Sequence, residues 1–197
     1  MHINTLLFFL LFSISLPTIA AECFGDSPGK TDGSYITPET VPSPLNSQQV
    51  KIVRKLFKEL NGRWTGDAAY IFCKGKKSSF KELGNEFYLE SKVKSDKDEL
   101  TLNTTLKYKN KNKSKVKKLS IYINDNLLRH DDKGTGGNVS IISIEKNKIH
   151  YVKKHASNAG LEEIAIILRK VKSEFVLEQQ KYVRGELASK ELWILKK

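Results

Sequence analysis

The chain has 197 residues, with 34 Lys plus Arg against 22 Asp plus Glu, a formal net charge of +12 and a pI near 9.5. At 39% hydrophobic and 28% charged residues, it has the make-up of a soluble folded protein, which excludes a disordered chain and a bundle of membrane helices. The length suits one domain, or one domain with an appendage.

Residues Met1 to Ala21 contain no Lys, Arg, Asp or Glu, and the apolar run from Leu6 to Leu16 is too short for a membrane-spanning helix of roughly 20 residues. Pro17 breaks the run, and Thr18-Ile19-Ala20-Ala21 offers small residues to a signal peptidase. The segment reads as a cleaved signal peptide and places the mature chain in a secreted or periplasmic compartment. A lipoprotein signal ending at Cys23 is the competing reading, but Glu22 is not the small residue such a signal needs. Cys23 and Cys73 are the only two cysteines. In an oxidising compartment they favour one disulfide, which would close a loop of about 50 residues at roughly 4 kcal/mol of chain entropy.

Residues 22–46 hold Pro28, Pro38, Pro42 and Pro44 and little apolar periodicity, so they read as an irregular arm. The folded domain is expected over 47–197. Its first element is a helix from Ser47 to Leu60, where Val50, Val53, Leu56, Phe57 and Leu60 recur at helical spacing opposite Lys51, Arg54, Lys55 and Lys58. Asn46 or Ser47 can cap it, and Gly62 can stop it. Such a basic amphipathic helix buries its stripe on the following domain; lying on an anionic membrane is the alternative.

From Trp64 onward the apolar period becomes two. Trp64, Ala68, Tyr70 and Phe72 share one face. Phe87, Leu89 and Val93 follow, then Leu100, Leu102, Leu106 and Tyr108, then Leu119, Ile121 and Ile123. Val139 to Ile144, Ile149 to Val152, Ile164 to Leu168, Phe175 to Val183 and Leu187 to Leu195 complete the series. Short polar turns separate these runs, and Lys74–Gly84 reads as a longer link. The expected fold is mostly β: an antiparallel up-and-down meander of about eight to ten strands, closed into a barrel so that its single apolar face is covered.

Gly62-x-Trp64, after a short helix and at the head of the first strand, resembles the opening of the lipocalin and wider calycin families. That resemblance covers residues 47–197 and implies a lipocalin-like barrel with Trp64 plugging one end and a lumen for a small apolar or amphipathic ligand. No helix precedes the last strand, unlike true lipocalins, and the Lys74–Gly84 link is too short for the helix pair of fatty-acid-binding proteins. Gly62-x-Trp64-x-Gly66 with Tyr70 also resembles the start of nitrobindin-type haem barrels, but the later glycines and proline of that family are missing. No cofactor is therefore expected. By inward parity the ligand-lining candidates are Trp64, Tyr70, Phe87, Leu102, Tyr108, Ile121 and Phe175, with Gln179 and Lys181 as polar anchors. Cys73 has the opposite parity, so a Cys23–Cys73 bridge would staple the arm to the outer wall.

Seven lysines fall within Lys107–Lys118. Lys107, Lys109, Lys111, Lys113, Lys115 and Lys117 alternate strictly, and an extended ribbon would carry them as a comb. The plain reading is a solvated hairpin that resists edge pairing. The functional reading is an anion-docking face for a membrane surface or envelope polymer. Nucleic acid is not expected as a partner, because the chain is exported and carries 29 Lys against five Arg.

Nothing dictates a reaction. His150 and His155 are five apart and face opposite ways on a strand, and His130-Asp131-Asp132 reads as loop beside the turn Gly134-Thr135-Gly136-Gly137. Neither cysteine is a nucleophile if the two are paired. Two functions follow: a non-enzymatic binding protein with a lumenal ligand, or a filled barrel acting on a partner through its lysine-rich hairpin.

Overall fold

The computed structural model describes Pro42 and residues 44–76, 79–131, 137–157 and 160–197. The helix α1 runs Ser47–Leu60, as the periodicity predicts. Of the two candidate caps, Asn46 is the one used. Its side chain accepts from the Gln49 amide and its own amide donates to Gln49 Oε1, each at 2.9 Å, a reciprocal box that satisfies two donors. At the other end Asn61 turns the chain, and Gly62 opens the first strand at φ +135°, a conformation that L side chains rarely adopt.

Ten strands follow: β1 Gly62–Lys76, β2 Ser79–Ser95, β3 Glu99–Tyr108, β4 Ser114–Asn124, β5 Leu127–Asp131, β6 Gly137–Glu145, β7 Lys148–Ser157, β8 Gly160–Val171, β9 Glu174–Val183 and β10 Glu186–Lys196. Each pairs antiparallel with the next, and β1 pairs with β10 to close the barrel. Two stretches differ from the sequence reading. Lys74–Gly84 is not a link, because β1 and β2 run on to pair Lys76 with Ser79. Its lysines, glycines and serines carry no period-two signal, yet the backbone ladder does not need one. His130-Asp131 is not loop either, since both lie in β5. That strand is too short and too polar to stand out beside a glycine-rich turn.

The lumen and the buried face of α1 form one apolar core. Val53, Leu56, Phe57 and Leu60 of the helix meet Trp64, Leu89, Leu100, Leu102, Leu119, Phe175 and Leu195 of the barrel. The helix closes one end. Arg54 Nε lies 2.7 Å from Asp98 in the β2–β3 turn, the Leu45 amide donates to the Asn126 carbonyl in the β4–β5 turn at 2.7 Å, and Lys170 at the end of β8 lies 3.6 Å from Glu59. Trp64 lies beneath it, donating from its indole to the Leu60 carbonyl at 2.7 Å and meeting Phe175 edge-on at 5.7 Å. A separate cluster of Val152, Ala165, Tyr182 and Leu187 sits on the outer face of β7–β10, Leu187 being turned outward by the irregularity between Leu187 and Ser189.

Candidate ligand site at the distal mouth of the barrel

Hairpins alternate ends in an up-and-down barrel, so the β1–β2, β3–β4 and β9–β10 turns gather at the mouth remote from α1. The register fixes which side chains face the lumen there. Leu106 pairs with Lys115 and Thr104 with Lys117, so both lysines share the face of Leu102, Leu119 and Ile121. This divides the expected comb. Lys107 and Lys109 stand outside on β3 and just beyond it, Lys111 and Lys113 lie in the exposed turn, and Lys115 and Lys117 point inward. Crossing a hairpin preserves the face of paired residues, not the odd-even count along the chain, which is why a strict alternation in sequence does not make one surface.

Outside, the lysines meet acids. Lys107 Nζ lies 2.6 Å from Glu90, and Lys109 Nζ lies 2.8 Å from Asp67 and 3.8 Å from Glu86. The hydrogen bond to Asp67, aided by both carboxylate charges against a small burial cost, holds the Lys109 ammonium above its ordinary range. Lys111 stands 5.9 Å over the Tyr108 ring.

Inside, Lys117 forms a strut. Its ammonium donates to Gln179 Oε1 and Glu191 Oε2, each at 2.8 Å, and lies 5.3 Å over the Trp193 ring. The second Glu191 oxygen accepts from the Trp193 indole at 2.8 Å. In the ring order, β4 lies directly across the lumen from β9, so the strut spans the barrel. With side-chain exposures of 25% for Lys117 and 11% for Glu191, water screens this pair only in part. Two further polar contacts are buried: Ser91 with Thr104 hydroxyl to hydroxyl at 2.8 Å, and His130 Nδ1 with the Tyr151 hydroxyl at 2.8 Å. His130 is 1% exposed.

Below the strut the barrel is packed. Trp64, Phe87, Leu102, Ile121 and Phe175, all expected as ligand lining, are between 0% and 1% exposed, which leaves no water-sized space against them. The structure makes them core. Tyr70 and Tyr108 are only partly buried and border that core at the mouth. Gln179 is part of the strut, and Lys181 is drawn to Glu162 at 2.7 Å. Phe87 meets Tyr108 with ring centroids 4.5 Å apart, and Tyr70 meets Phe72 at 6.0 Å, so the mouth is aromatic on the β1–β3 side. Lys115 stands in front of those rings, 4.8 Å from the Phe87 centroid and 5.9 Å from that of Tyr70.

Sequence reasoning missed Lys115 and Lys117 as lumenal, and Glu191 and Trp193 as their floor. Counting back by two from Leu119 finds the lysines, and counting back from Leu195 finds the others. His150 and His155 occupy opposite-parity positions on β7. No group of three or more metal-ligating side chains occurs among the described residues. Cys73 lies in β1 opposite Glu82, and its expected partner Cys23 falls outside the described residues, as do Asp132 and Gly134 to Gly136 of the glycine-rich turn.

Compared with models of known protein families and with curated proteins, the sequence matches none.

Proposed function

We propose that this is an exported binding protein, not an enzyme, that takes a small amphipathic molecule at the distal mouth of its barrel, in the manner of the lipocalin-like barrels it resembles. The observation that carries this reading is the contrast between the two halves of the lumen. The helix-side half is filled to the exclusion of water, whereas the mouth presents part-exposed Tyr70, Phe72 and Tyr108 beside inward-facing Lys115, Gln179 and Lys181. Apolar walls with a few convergent polar groups are what small-molecule sites are made of. The strut of Lys117, Gln179 and Glu191 floors the site, so the ligand is shallow and short.

Chemical-shift mapping with octanol below its solubility limit and octanoate below its micelle concentration tests this. Shifts concentrated at Tyr70, Phe72, Tyr108 and Lys115 are expected. Shifts absent, or scattered over the outer wall, would refute the reading.

The alternative, an anion-docking exterior, is weakened by the acids that meet Lys107 and Lys109. Converting both to Gln is expected to leave binding to anionic vesicles within about twofold, because exposed pairs of this kind contribute little. A Cys23–Cys73 disulfide fits an exported chain, and non-reducing mass spectrometry with alkylation checks it: two alkylatable thiols in the native protein would exclude it.

A further inference from the structure

Resting on the mouth-binding reading, we infer that the ligand is a small organic acid whose carboxylate is held by Lys115 while its body lies on the part-exposed rings of Tyr70 and Tyr108. Three observations converge. Lys117 and Lys181 each meet a lumenal carboxylate, at 2.8 Å to Glu191 and 2.7 Å to Glu162. Lys115 faces inward with them by register, yet it has no ion pair with any carboxylate among the described residues. Its ammonium is instead set over two aromatic faces, 4.8 Å and 5.9 Å from their centroids.

The two acids that a cationic ligand would seek are already engaged. Glu191 accepts from both Lys117 and the Trp193 indole, and Glu162 takes Lys181. Among the described residues, the lumenal charge left without an ion pair at the mouth is therefore positive. The rings behind it supply apolar contact but no anion, because an aromatic face attracts cations and repels carboxylates. A carboxylate must accordingly approach from the lumen side of Lys115, which places the attached carbon chain against the part-exposed Tyr70 and Tyr108. The floor of Lys117 and Glu191 stops that chain from descending into the packed half, so length is limited as well as charge.

The test compares octanoate with octanol, equal in length and differing in charge, on the full mature protein and on Lys115→Gln and Lys115→Arg. Octanoate is expected to bind about fivefold more tightly than octanol, with Lys115→Gln erasing the difference, Lys115→Arg keeping it, and added salt weakening octanoate alone. Equal binding of the two probes, or octanoate binding indifferent to Lys115→Gln, would overturn the acid inference and leave the mouth site standing. Binding of neither probe, with Lys115→Gln as well folded as the parent by circular dichroism, would overturn the mouth site and the inference with it.

Discussion

At Gly66 the first strand lies tight against the backbone of the last. A Cβ built there would run into the Ile194 carbonyl oxygen, with Leu195 Cα 3.0 Å away, so the obstacle is backbone and cannot swing aside. Gly66→Ala must push β1 from β10 at the seam that closes the barrel. A loss of about 1–3 kcal/mol is expected from overpacking, read as a lower urea midpoint. The lysines are legible in a different way. The same single-residue logic that reads Trp64 and Leu119 as inward makes Lys115 and Lys117 inward too, but a run of seven lysines invites reading by composition instead of by parity. Removing Lys117 alone leaves the Glu191 carboxylate with one donor fewer at a half-dry site. Lys117→Met is expected to cost about 1–3 kcal/mol, whereas adding Glu191→Gln restores part of it, because the amide oxygen still accepts from the Trp193 indole and no charge is left stranded. A double-mutant cycle by chemical denaturation measures the difference; strict additivity would mean that the strut carries no coupling.

At the scale of the element, local rules served well where one face is apolar. The stripe of α1 matches its buried residues one for one, and the choice of Asn46 over Ser47 as cap follows from the position of Gln49 three residues on. They served poorly where a strand is polar on both sides. On the outer face of β8–β10, Lys190 lies 2.8 Å from Glu178, Gln180 donates to Glu178 at 2.7 Å, and the Tyr182 hydroxyl donates to Gln180 at 2.5 Å. Nothing in the sequence marks this chain of contacts, because its members are two residues apart on one strand and joined to Lys190 only by register. Burial pushes the Glu178 carboxyl up, but the hydrogen bond and charge of Lys190, with help from Gln180 and Arg169, outweigh it and hold the group below its ordinary value. A carboxyl depressed in the folded state stabilises the protein above its unfolded pKa of 4.5, and the contribution is lost as pH falls through the folded value. Glu178→Gln is therefore expected to lower the urea midpoint at pH 7 and to flatten its fall below pH 4.5 relative to the parent. Parallel curves for the two proteins would show that the contact has no weight.

For the whole molecule, period two along nine segments was enough to foresee a closed antiparallel meander, since one continuous apolar face has no other cheap cover. What periodicity could not supply is the strength of each joint in the ring. β1 and β2 pair along their whole lengths, from Gly62 with Val93 to Lys76 with Ser79. Among the described residues β5 and β6 are joined by Arg129 with Asn138 and His130 with Gly137 alone, and β6 is further interrupted by a register shift between Ile141 and Ser143. Few ladder bonds on one side leave the amides there dependent on a single neighbour, and local opening follows the weakest pairing. The His130–Tyr151 hydrogen bond reaches across β6 from β5 to β7, so the gap is bridged inside by side chains where the backbone ladder is thin. Hydrogen exchange on the native protein should therefore show the β5–β6 seam opening before β1–β2. Tyr151→Phe, which removes that bridge while keeping the ring, should speed exchange at Leu127–Asp131 several-fold and leave β1–β2 unchanged. Equal protection of the two seams, or an equal effect of Tyr151→Phe on both, would mean that the barrel opens only as a whole.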